Sequence, residues 1–63
     1  MSTLAKEILK KFPKYEDAQL EAERLARSKN DDWEKGVTTY TFFDNSYIED
    51  QSGELTAKIR RSR

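Results

Sequence analysis

Two residue types that carry much of protein chemistry are missing from this chain: it has no cysteine and no histidine. Without cysteine there is no disulfide to staple the fold, no thiolate nucleophile and no zinc thiolate site, and an intracellular, cytoplasmic protein is the expectation. Without histidine the chain lacks the usual general base near neutral pH and the commonest metal ligand. Catalysis would have to run on carboxylates, lysine or tyrosine with strongly perturbed pKa values, which a core built from 63 residues can hardly impose. The only glycines are Gly36 and Gly53, so no glycine-rich loop cradles a phosphate. No apolar run approaches the roughly twenty residues of a membrane span, and "MSTLAKEILKKF" has no signal-peptide core. These absences predict a non-enzymatic chain with no cofactor and no membrane segment.

Charge is plentiful, at 38% of residues, and mean hydropathy is −1.02, values that approach those of disordered chains. Two features argue for a fold. Basic and acidic residues balance at 12 each, and the apolar residues are periodic. The balance hides a gradient along the chain. Lys6, Lys10, Lys11 and Lys14 face only Glu7 near the start, and Lys58, Arg60, Arg61 and Arg63 close the chain. Between them lie Glu16, Asp17, Glu21, Glu23, Asp31, Asp32, Glu34, Asp44, Glu49, Asp50 and Glu54, opposed by few cations. Internal neutralisation with a solubilising tail accounts for this pattern, and contact of the ends with an acidic partner is the functional counterpart.

Leu4, Ala5, Ile8, Leu9 and Phe12 predict an amphipathic helix over residues 3 to 11, begun by Ser2 or Thr3 and stopped by Pro13. A second helix fits residues 15 to 29, with Tyr15, Ala18, Ala22, Leu25 and Ala26 on one side and Leu20 on the other. "SKNDDWEKG" then reads as turn chemistry. Trp33 within it is expected to fold over the junction of helices and sheet, because a small core needs its largest side chain.

The rest reads as strands. A three-residue loop at Asp44, Asn45 and Ser46 would place Phe42 opposite Ile48, Tyr40 opposite Asp50 and Phe43 opposite Tyr47. "SG" at 52 and 53 is a two-residue hairpin signal that pairs Asp50 with Leu55, Ile48 with Ala57 and Tyr47 with Lys58. The two turns agree on one apolar face of Tyr40, Phe42, Ile48, Leu55, Ala57 and Ile59, with Asp50 at its rim. The predicted architecture is α+β: two N-terminal helices packed on one face of a three-stranded antiparallel β-meander, forming one small domain over residues 1 to 59 with a basic tail at 60 to 63.

In a strand, neighbouring side chains point to opposite faces, so Phe42 and Phe43 cannot share one core. Phe43 is therefore assigned to the outer face with Tyr47, Lys58, Thr41 and Glu49. A satellite aromatic cluster that merely stabilises the sheet explains this arrangement, and so does a contact surface, since aromatic side chains are enriched at interfaces. Leu20, isolated on a charged helical face, is either ordinary surface or an anchor for a partner. The functional expectation is a small accessory or inhibitor-like protein that binds another macromolecule, a protein first of all, through the outer sheet face and the acidic second helix. The alternative is a nucleic-acid-binding module using Lys58, Arg60, Arg61 and Arg63 with the hairpin aromatics. The acidic second helix argues against that alternative. Exposed sheet edges, at the strand near Thr38 and the strand from Leu55 to Ile59, also allow a homodimer. No metal site is expected: the sixth position counted from Asp44 is Glu49, where a calcium loop needs glycine, and Glu49 and Asp50 project to opposite faces.

Overall fold

The computed structural model describes residues 3 to 60. In chain order these form helices α1 (Leu4–Lys11) and α2 (Tyr15–Leu25) and strands β1 (Ser28–Asp32), β2 (Val37–Thr41), β3 (Ser46–Gln51) and β4 (Glu54–Ile59). The fold is α+β, with an antiparallel sheet in the meander order β1-β2-β3-β4. It has four strands, where three are expected from the sequence.

The extra strand is β1. Residues 28 to 32 are Ser-Lys-Asn-Asp-Asp, a run with no apolar residue and rich in types depleted from strands, so pattern alone reads it as a turn. Pairing makes it a strand: Lys29 lies opposite Tyr40, Asn30 opposite Thr39 and Asp31 opposite Thr38. Side chains reinforce the ladder. The Lys29 Nζ lies 5.9 Å from the centre of the Tyr40 ring and 3.1 Å from Glu23 of α2, and the Thr38 hydroxyl donates to Asp31 at 2.8 Å. Helix α2 accordingly ends at Leu25 rather than at residue 29, and the Arg27 N–H donates to the Thr41 carbonyl at 2.7 Å as the chain enters the sheet. The β2 strand near Thr38 is thus interior, and the sheet's edges are β1 and β4.

The β2–β3 loop also differs from expectation. It comprises residues 43 to 45, one position earlier than Asp44 to Ser46, so Tyr40 lies opposite Ile48, Thr41 opposite Tyr47 and Thr38 opposite Asp50. The Asn45 N–H donates to the Phe42 carbonyl, and the Phe42 N–H donates to the Ser46 carbonyl. Asn45 takes the left-handed conformation at φ 68°, which asparagine tolerates better than most residues. This register is offset by two residues from the expected one. Side chains alternate with period two, so the offset leaves every residue on its expected face. The β3–β4 hairpin has the expected pairing, with Ser52 and Gly53 both at positive φ as a type I′ turn requires.

The core is Ala5, Ile8, Ala18, Ala22, Tyr40, Phe42 and Ile48, with Leu4, Leu9, Phe12, Leu25, Ala26, Leu55 and Ala57 packed around it. Alanines at 18 and 22 bring α2 close to its neighbours. Asp50, on the same sheet face, accepts a hydrogen bond from the Tyr15 hydroxyl at 2.6 Å. That bond to the carboxylate pushes the Tyr15 hydroxyl up to about 12.

Helix α1 is capped largely by the sheet. The Leu4 N–H donates to the Asp44 carboxylate at 2.8 Å, the Ala5 N–H to the Ser46 hydroxyl at 3.2 Å and the Lys6 N–H to the Thr3 hydroxyl at 3.2 Å. Three of the four N–H groups that a helix start leaves without intrahelical partners are satisfied in this way.

Candidate functional site

Helices α1 and α2 pack against β3 and β4 on the sheet face that carries Tyr40, Phe42 and Ile48. The opposite face presents Thr39 and Thr41 from β2, Tyr47 and Glu49 from β3, and Thr56 and Lys58 from β4. Thr41, Tyr47 and Lys58 form one row across three strands, with Thr39, Glu49 and Thr56 in the next. The Lys58 Nζ bridges the two rows through a 3.0 Å ion pair with Glu49, and this carboxylate raises the lysine pKa.

Tyr47 is half-buried, and the Arg60 guanidinium lies over its ring at 5.5 Å. Arg60 is placed for this by its backbone, whose N–H donates to the Asn45 carbonyl at 2.9 Å beyond the end of β4. In the sequence this arginine looks like the start of a solubilising tail over residues 60 to 63. The available signal was alternation, since Arg60 is two positions past Lys58 and so shares its face. Arg61 and Arg63 lie outside the described residues.

Phe43 is 75% exposed, at the first position of the β2–β3 loop. It is not the cross-strand neighbour of Tyr47; Thr41 is. The structure thus brings Thr41, Tyr47, Glu49 and Lys58 together on the outer face, and sets Phe43 at the hairpin end of that face.

Leu20 is elsewhere. It is 64% exposed on α2, in a shallow groove with Phe12, Asp17, Glu21, Glu23 and Arg24, on the helical side of the sheet. Arg24 and Glu21 form an ion pair there. One flat partner surface cannot cover Leu20 and Tyr47 together.

Trp33 corrects a further expectation. It is 92% exposed in the β1–β2 loop and covers no part of the core. Its neighbours are Asp31, Asp32, Gly36, Val37 and Thr38, which with it line an open groove.

Asp44 is structural. Partial burial raises its pKa, but hydrogen bonds from the Ser46 hydroxyl, the Leu4 N–H and the Ser46 N–H outweigh this and hold it below the ordinary carboxylate value. No group of three or more metal-ligating side chains converges among the described residues, and no helix among them is long and apolar enough to cross a membrane. No family model, curated protein or solved structure matches the chain.

Proposed function

We infer that this chain is a small non-enzymatic binding module, accessory or inhibitor-like, that occupies a surface of another protein through the outer face of its sheet, and that it acts in the cytoplasm. One observation carries this reading: the helices among the described residues pack on the other face of the sheet, and this face presents a half-buried tyrosine under a stacked arginine, with a three-quarters exposed phenylalanine at its end. Tyrosine and arginine are, with tryptophan, the residues enriched at interface hot spots, and holding the guanidinium on the ring before binding reduces the ordering that association would otherwise require. The ion pair of Glu49 with Lys58 similarly fixes two long side chains in advance.

The acidic residues of α2 are on the other side of the sheet. They contribute by steering a basic partner from a distance rather than by touching it. Cations beside Tyr47 also suit a single nucleic-acid strand, but Lys58 is already engaged by Glu49, and α2 repels phosphate. Pairing of two copies through the β4 edge competes with partner binding, and Lys58 on that edge works against it.

Immobilised protein should retain a specific protein from lysate of the source organism after nuclease treatment, and the Phe43→Ser/Tyr47→Ser variant, still folded by circular dichroism, should lose it. Retention that disappears with nuclease would assign the face to nucleic acid. Retention unaffected by the double substitution would remove the outer face from the reading altogether.

A further inference from the structure

The chain has a single tryptophan, and it is the most exposed large hydrophobic residue among the described residues. A core with so few large side chains would gain from burying an indole. Nor does the turn need it. The β1–β2 loop is closed by the Gly36 N–H donating to the Asp32 carbonyl at 2.8 Å and the Lys35 N–H donating to the Asp32 carboxylate at 3.2 Å, with Gly36 at φ 69°. Trp33 makes the hairpin tip apolar and takes no part in the hydrogen bonds that close it.

The surroundings specify what such a tip could hold. The groove beside the indole has Val37 as its other apolar wall and Asp31 and Asp32 at its rim, and Glu34 follows in sequence. Lys35 is the one cation of this loop. The ion pairs among the described residues are Arg24 with Glu21, Lys29 with Glu23 and Lys58 with Glu49, so none neutralises Asp31, Asp32 or Glu34. The Lys29 ammonium is held by Glu23 and the Tyr40 ring; Glu23 is the main cause of its raised pKa, with Asp31 the smallest contributor. A neutral apolar occupant would desolvate these carboxylates without compensation. Phosphates of a nucleic acid or an anionic bilayer would be repelled. A guanidinium meets both demands, since its plane stacks on an indole while its N–H groups pair with carboxylates.

We propose that the β1–β2 hairpin tip is a docking site for an arginine side chain presented by a basic protein segment, with Trp33 as the stacking surface and Asp31 and Asp32, which line the groove with it, as counter-charges. The site is separate from Tyr47 and Phe43 and does not depend on the outer-face reading. A direct test titrates the full chain at low ionic strength with an unstructured peptide alternating arginine and serine, followed by calorimetry and by the fluorescence of the single indole. Binding should be saturable, and replacing arginine with lysine should weaken it several-fold. Trp33→Ala and the neutralised variant Asp31→Asn/Asp32→Asn, in which residue 32 keeps its acceptor for the Lys35 N–H, should each lose at least about tenfold in affinity. Phe43→Ser/Tyr47→Ser should bind the peptide like the parent. The proposal is overturned by undiminished affinity in Trp33→Ala or in the neutralised variant, by absence of saturable binding, by loss of peptide binding in Phe43→Ser/Tyr47→Ser, or by an indole response to a single-stranded oligonucleotide or anionic vesicles that the peptide does not produce.

Discussion

The β2–β3 loop and the β1–β2 loop are built from similar parts and serve opposite ends. Each has an aspartate at or beside its start, a residue at positive φ near its end, and an exposed aromatic at its first position: Phe43 in one, Trp33 in the other. The first loop is tied into the fold. Asp44 caps Leu4, Ser46 caps Ala5, and Phe42 at its base is fully buried. The second reaches no helix; its hydrogen bonds stay within β1, β2 and the turn between them. Loop chemistry alone therefore does not tell a structural turn from a displayed one. What decides is whether another element needs the loop's polar atoms, and α1 needs those of Asp44 and Ser46.

The strongest way to break the comparison is at the base of the tied loop. Phe42→Ala removes a fully buried ring from the junction of both helices with the sheet and should destabilise by about 3 to 5 kcal/mol. For so small a chain this approaches complete unfolding, and chemical denaturation followed by circular dichroism reads it. A loss below about 1 kcal/mol would mean that the loop is not anchored through Phe42.

How far this contrast could be read in advance depends on the residue. The buried set was legible because periodicity assigns faces: Ile8, Ala18, Ala22, Tyr40, Phe42 and Ile48 are where their spacing puts them, and even the two-residue offset in the β2–β3 register preserved this. β1 was not legible, because Ser28 to Asp32 has no buried face to impose a period and depends on a partner strand that pattern reading does not supply. The exposure of Trp33 is hidden in the sequence for a related reason. Its burial was inferred from what a small core needs, whereas the added strand extends the sheet and carries its hairpin beyond the helices. Asp44 looked like turn chemistry, and its second role required knowing that α1 starts beside it.

Asp44→Ala sharpens the comparison at intermediate size. It removes the carboxylate that accepts from Leu4 and Ser46 and should cost about 1 to 2 kcal/mol near neutral pH. The pH dependence carries a definite sign. The folded pKa of Asp44 lies below its unfolded value of 3.8, so its contribution is present above that value and is lost as pH falls through the folded pKa. Thermal midpoints of parent and variant should thus differ most above about pH 5 and converge in strong acid. A constant gap down to low pH would show that the ionised carboxylate is not what holds α1.

The smallest expected effect falls on the displayed loop. Trp33→Ser removes a side chain that is 92% exposed and takes no part in the hydrogen bonds that close the turn, so the thermal midpoint should move by no more than a few tenths of a kcal/mol equivalent. Phe43→Ser, at the matching position of the tied loop, should be nearly as mild, because what ties that loop is Asp44, Ser46 and Phe42. Equal tolerance at the two aromatics, set against a large loss at Phe42, would place both rings outside the fold's own requirements. A loss above about 1 kcal/mol at Trp33 would instead show the indole supporting β1. It would then be the pairing of Ser28 to Asp32, and not a ligand, that keeps a tryptophan at this hairpin.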